Sequence, residues 1–223
     1  MSEPSTDDYT VGWICALQEE YEAACRMLDL EFDGPETSDI NAPPEALLGV
    51  IPEMRRRHND PRTPDRFPEH LRLMDDILEY RRPSEDRLYN ADYEHKGGKS
   101  CIDCDVDELI ERPPRKSRRA FMIHYGIIAS ANSVMGDVKE RDRYAHDPEM
   151  NVLCFETEAG GLMNNFPCLV IRGICSYSDS HRNGEWHNYA ALTAAAYARE
   201  LLLVLKPQKI TRPLVQENKL ISE

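Results

Sequence analysis

Long apolar runs are missing from this chain, and none approaches the roughly 20 residues that a bilayer-spanning helix needs. The opening residues Met1 to Tyr9 are polar and acidic, without the apolar core of a signal peptide. A soluble protein of the cytoplasm, with no membrane partner, is the expectation. Basic charge is also in deficit: 27 Lys and Arg stand against 40 Asp and Glu, a net charge of −13. Phosphate attraction dominates nucleic-acid affinity, so nucleic acid is not an expected partner. A local basic run, Arg55-Arg56-Arg57, reads as a solvated helix end. Glycine is sparse, with 11 residues, and no Gly-rich phosphate loop occurs. No serine shows the sharp-turn setting of a hydrolase nucleophile, and no triad is evident. No internal repeat is found.

Cysteine is present in an odd number, seven. Cys15, Cys25, Cys154, Cys168 and Cys175 lie in apolar runs, where a free thiol acts as a small hydrophobe. A disulfide framework is not expected in this setting. Cys101 and Cys104 stand instead in polar surroundings. Their C-x-x-C spacing invites a zinc reading, but a structural zinc takes four ligands and the nearby His95, Asp103 and Asp105 fit no common pattern. Neither a metal nor a cofactor is expected.

What the chain does contain is a pair of apolar β-forming runs, each followed by polar residues. Val152 to Phe155 leads to Glu156, Thr157 and Glu158. Leu169 to Ile174 leads to Ser176, Ser178 and Asp179. A short segment from Ala159 to Phe166 joins the two, which predicts neighbouring buried parallel strands. Polar residues at the carboxyl ends of parallel strands lie where open α/β sheets hold their ligands.

Other elements follow from the same periodicities. Thr10 to Leu17 reads as a buried strand, and Gln18 to Leu28 as a helix whose Glu19 and Glu20 favour the positive end of its dipole. From Ala42 to Arg119 the chain turns polar, charged and Pro-rich, like an insertion. Helical patterns appear there near Glu45–Arg56 and Pro68–Tyr80, and Arg81 to Arg119 reads mostly as loop. Phe121 to Ala129 predicts a strand ending at Ser130-Ala131-Asn132, Val138 to His146 a helix, and Tyr189 to Leu205 a final helix. Residues 1–9 and 208–223 read as a disordered start and a tail around a single domain, 10–207. Strands alternating with helices define an α/β class.

Five phrases carry a family likeness: VGWICALQEEYEAA (Val11–Ala24), DYEHKGG (Asp92–Gly98), ELIERPPR (Glu108–Arg115), HYGIIASANSV (His124–Val134) and the run from Val152 to His181. In this order they resemble the purine and uridine phosphorylase family, in the fungal form that begins multidomain signalling proteins. The resemblance implies a phosphorylase/hydrolase-like fold, a central mixed sheet flanked by helices. It implies cleavage of the N-glycosidic bond of a nucleoside, with phosphate or water as co-substrate. The family's assembly habit leaves a homo-oligomer open.

Residue by residue, the resemblance places Glu158 at the ribose hydroxyls, with Glu156 and Thr157 beside it. Ser130, Ala131 and Val134 match the strand end that lines the base. Glu20 matches the water-activating carboxylate of the nucleosidases. Ser176 stands where many members carry an Asp that protonates the purine. A serine hydroxyl can hydrogen-bond a base nitrogen but does not readily supply a proton at neutral pH, which leaves Asp179 as the acid of that loop. The family also has a large block of central strands and phosphate-binding groups where Ile40-Asn41 here meets Ala42-Pro43-Pro44, so the domain is internally truncated. Removing such strands exposes sheet edges, which favours pairing or aggregation. Two readings stand: an enzyme that splits purine nucleosides, or a catalytically degenerate ligand-binding or interaction module of a signalling protein.

Overall fold

Alanine and leucine dominate residues 187–204, and they form the longest helix of the computed structural model. The structure describes residues 17–27, 45–98, 100–114, 121–163, 168–181 and 184–205. Six helices and two strands appear among them: α1 (Gln18–Met27), α2 (Glu45–Asn59), α3 (Phe67–Leu71), β1 (Ile127–Ser130), α4 (Val138–Ala145), β2 (Val152–Glu156), α5 (Ala159–Leu162) and α6 (His187–Val204). The class is α/β in the coarse sense of helices with a small parallel sheet.

Helix α6 is the hub of the main core, with α1, α2 and α3 packed against it. Its small residues allow close approach: Ala195 and Ala196 are buried with Leu192 against Ala23, Met27, Phe67, Met74 and Tyr80. Among the described residues, two polar side chains drawn deep into this layer meet each other. His70 of α3 and Glu200 of α6 are both buried and meet at 2.8 Å. Burying a charge costs far less when a partner meets it. The arginine run ends α2 as a solvated basic turn. Arg56 and Arg57 both bond Glu53 at 2.8 Å, and their guanidiniums hold its carboxyl down at about 2. Arg55 lies over the Tyr125 ring at 5.0 Å.

Strands β1 and β2 pair in parallel, with Ile127 opposite Val152, Ile128 opposite Cys154, Ala129 opposite Phe155 and Ser130 opposite Glu156. An irregularity between Ile127 and Ile128 leaves Leu153 without an opposite number. A parallel pair needs a crossover, and α4 supplies it. Asp137 starts that helix by accepting from the Lys139 N–H at 2.7 Å and the Glu140 N–H at 3.3 Å, the bonding expected of an N-cap aspartate. Tyr144 then meets Phe155 of β2 edge-on at 6.1 Å.

Three expectations change. Pro68–Tyr80 is not one helix: α3 stops at Leu71, tight 3-10 segments occupy Arg72–Met74 and Leu78–Tyr80, and a turn separates them. The break carries Tyr80 beneath α1, where its hydroxyl donates to the Glu19 carbonyl at 2.7 Å and lies 3.2 Å from Glu22 Oε2. The strand read over Phe121–Ala129 is only its last part, since β1 begins at Ile127. Phe121 and Ile123 turn instead into the helical core, and Tyr125 bonds His58 Nδ1 at 3.0 Å. Most consequential, Leu169–Ile174 is no strand. Its described residues join no ladder, and Gly173 lies against α6 instead. A Cβ on Gly173 would sit 2.0 Å from the Ala190 carbonyl oxygen. Strand-forming side chains make a strand only where a neighbouring backbone offers its hydrogen bonds. The expected strand at Thr10–Leu17, the Asn41–Ala42 junction and the tail fall outside the described residues, apart from Leu17.

Candidate functional site

The register of β1 and β2 sets Ser130 beside Glu156 at the carboxyl ends of the two strands. Backbone and side chains then lock the corner. Ala131 donates its N–H to the Glu156 carbonyl at 2.9 Å. Glu156 Oε2 accepts from the N–H groups of Glu158 (2.8 Å) and Ala159 (2.6 Å), the entry to α5. Ser130 Oγ accepts from the Gly160 N–H at 2.8 Å. Glu156 is 4% exposed, and its second oxygen, Oε1, is buried with no hydrogen-bond partner among the described residues. A buried carboxylate oxygen without a donor is costly. Such an atom marks a place where a donor belongs.

Glu158 lies at the rim and is exposed. Its carboxylate accepts from the Thr157 hydroxyl and from the Thr157 N–H at 3.2 Å, and Arg172 approaches to 3.8 Å. The Thr157 hydroxyl and, more weakly, the Arg172 charge hold its pKa below the ordinary glutamate value, so the group is an anion at neutral pH. Val134 follows in the loop after β1 and is exposed. Five of the expected residues therefore share one corner: Ser130, Ala131, Glu156, Thr157 and Glu158. Arg172 joins them, and sequence reading missed it. The signal that pointed to it was its place inside the second apolar run, where a charge needs an anion.

The other expected residues stand elsewhere. Glu20 is at the start of α1, and its carboxylate accepts from the Leu17 N–H at 3.3 Å, the bonding of a helix start. Ser176 and Asp179 do not follow a strand, since Leu169–Ile174 forms none. Asp179 is 4% exposed, accepts from the His181 N–H at 2.9 Å, and lies near Cys101, where it adds slightly to the burial that raises the thiol pKa. The proposed acid thus belongs to a cluster of its own.

That cluster organises the segment read as loop. The Tyr89 and Leu109 backbones form a bridge, and Cys101 and Cys104 lie buried beneath Tyr89 with Tyr93 and Leu109 packed around them. The polar look of the sequence around the two cysteines had suggested an open loop; the structure buries them, while Cys25, Cys154, Cys168 and Cys175 remain only half-buried. Burial, then the neighbouring Cys104, pushes the Cys101 thiol up to about 11. The segment docks on Tyr177, whose hydroxyl donates to Asp86 at 2.7 Å and accepts from Arg112. Trp186 adds a bond from Nε1 to the Glu85 carbonyl at 3.1 Å, with Arg82 over its ring at 5.4 Å. Trp186 is thus a docking residue between this segment and α6.

No helix of the described residues is long and apolar enough to cross a membrane. No family model matches the chain, and no solved structure matches it. The chain is similar to part of a nucleotide-binding leucine-rich repeat (NLR)-like protein of the fungus Hyaloscypha variabilis, 38% identical over 175 residues. The match covers 78% of this chain and 17% of that protein, so the chain spans about one-sixth of the length of the relative.

Proposed function

We propose that the corner formed by Ser130, Glu156 and Glu158 is the sugar half of a purine nucleoside site of the phosphorylase and nucleosidase kind. The observation that carries this reading is the orphaned Oε1 of buried Glu156 beside the anionic Glu158. Two carboxylates at a strand end suit a pair of vicinal ribose hydroxyls, each of which donates one hydrogen bond. Fixed negative charge near the ring stabilises the positive charge that develops as the glycosidic bond lengthens. The family likeness of FETEAG (Phe155–Gly160) and HYGIIASANSV supports the same assignment, as does the wider phosphorylase/hydrolase-like mixed sheet that it implies. The similarity to an NLR-like protein supports a place within a larger signalling chain.

A second reading has its own support. The base needs a proton or a donor as it leaves. Ser176 replaces the acid, and Asp179 is engaged by the His181 N–H beside Cys101. A domain built this way binds the nucleoside through its sugar and does not turn it over. Incubation with inosine and adenosine, with and without phosphate, separates the two readings. Free base that disappears in Glu158→Gln supports cleavage. Binding in calorimetry without free base supports the binding module. Neither binding nor release overturns the nucleoside site.

A further inference from the structure

Away from that corner, three side chains of metal-ligand type converge in the 81–114 segment. One nitrogen of His95 and the sulfurs of Cys101 and Cys104 all lie within 4.8 Å of one another, with both cysteines buried. In a tetrahedral zinc site, with Zn–S about 2.3 Å and Zn–N about 2.0 Å, ligand atoms stand about 3.3–3.8 Å apart. The cluster needs only a small contraction to reach that geometry.

The surroundings prepare His95 for such a bond. Its Nδ1 accepts from the Gly97 N–H at 3.2 Å. A nitrogen that accepts from an N–H carries no proton, so the neutral ring holds its proton on Nε2, which donates to the Ser100 carbonyl at 3.1 Å. A metal-bound histidine typically donates its distal N–H to a carbonyl in this way. The turn that allows it runs through Gly97 and Gly98, at φ of 101° and 90°, a conformation that disfavours other residues.

A second histidine stands beside the group. His181 meets His95 at 86° with ring centroids 5.5 Å apart, and its backbone carbonyl lies 4.0 Å from the Cys101 sulfur. The ring stacks on Tyr89 at 4.2 Å. Its Nε2 is buried with no hydrogen-bond partner among the described residues.

We propose that His95, Cys101, Cys104 and His181 bind one zinc ion as a structural Cys2His2 site that clamps the 81–114 segment to the loop bearing Asp179. The ligands come from C-x-x-C, from a histidine six residues before it, and from a histidine far along the chain. The ion takes the place of the Gly97 N–H at His95 Nδ1 and gives the Nε2 of His181 its missing partner. Each thiol releases its proton to solvent on coordination. The site stands independently of the nucleoside reading, because none of its ligands belongs to the sugar corner.

The test is a cobalt titration of the whole reduced chain after chelation, followed by zinc displacement. One equivalent of Co2+ should give a thiolate-to-cobalt charge-transfer band and intense visible bands of a tetrahedral ion, both erased by zinc. Cys101→Ser and Cys104→Ser should each abolish the charge-transfer band or halve it. Cys154→Ser should leave it unchanged. His181→Ala should weaken binding by at least about tenfold, the lower end of what even outer partners of metal ligands contribute. Zinc, and not magnesium, should raise the melting temperature of the unmutated metal-free chain, a readout that needs no variant to fold. A missing charge-transfer band, a band left at full intensity by either cysteine change, or His181→Ala affinity equal to the parent overturns the site. So does a Cys101–Cys104 disulfide that forms in air and matches the zinc-loaded stability.

Discussion

Around α6, buried apolar residues from α1, α3, the Leu78–Tyr80 turn and α6 itself meet side by side. In the 81–114 segment, three buried residues do that work, and most of the remaining attachment is polar: Tyr177 to Asp86 and Arg112, Trp186 to Glu85, and the His95 N–H to Ser180 Oγ at 3.1 Å. Hydrophobic burial is non-directional and survives small shifts. Hydrogen bonds contribute modestly each and depend on geometry. The first region therefore sets the stability of the domain, and the second sets the shape of its surface.

The largest test of that contrast is Phe67→Ala. This fully buried ring touches Phe121, His58 and Tyr197, and its removal should cost about 3–5 kcal/mol. Thermal unfolding should then begin roughly 6–20 °C lower, at the 2–4 °C per kcal/mol typical of this size. A drop under two degrees would show that α6 is not the hub. Gly173→Ala comes next. Its new methyl would meet the Ala190 carbonyl, and overpacking of this kind costs about 1–3 kcal/mol. An unchanged melt would mean that the 169–174 run sits further from α6 than described.

Tyr177→Phe sharpens the comparison from the other side. Loss of one hydroxyl shared by Asp86 and Arg112 should cost about 0.5–1.5 kcal/mol. Hydrogen exchange should quicken at residues 86–112 and stay unchanged in α1 and α6. Quickening everywhere would show that the two regions unfold as one. The smallest effect concerns pH. The folded pKa of Glu158 lies below its ordinary value, so its contribution is complete above about 4.3, the usual glutamate value, and fades only as pH falls through the lowered one. Nucleoside affinity should therefore be flat from neutrality down to about pH 5. A loss of affinity between pH 7 and 5 would remove Glu158 from the sugar site.

Much of this could be read from periodicity. Glu19 and Glu20 before an apolar spacing marked α1, the Ala- and Leu-rich run marked α6, and Val152–Phe155 marked β2. The strand-end corner was legible because β-formers ended at Glu156 and because HYGIIAS ended at Ser130. What escaped was whatever depends on a neighbour. Leu169–Ile174 has every strand-forming side chain but no ladder among the described residues. Tyr80 breaks its helix for the sake of a carbonyl on α1. The Cys101 and Cys104 spacing was visible, yet the polar residues around them concealed their burial. His181 stands 80 residues beyond Cys101, a separation that only folding closes.

The pairing of His70 with Glu200 has a consequence for the newborn chain. The two lie 130 residues apart, and α6, which carries Glu200, is also the hub of the core. At about 5–20 residues per second, ribosomes need roughly 6–26 s to travel from one to the other. Through that interval α1, α3 and Met74 wait with their apolar faces open to whatever binds nascent chains. The helical core of the described residues therefore cannot close before α6 arrives.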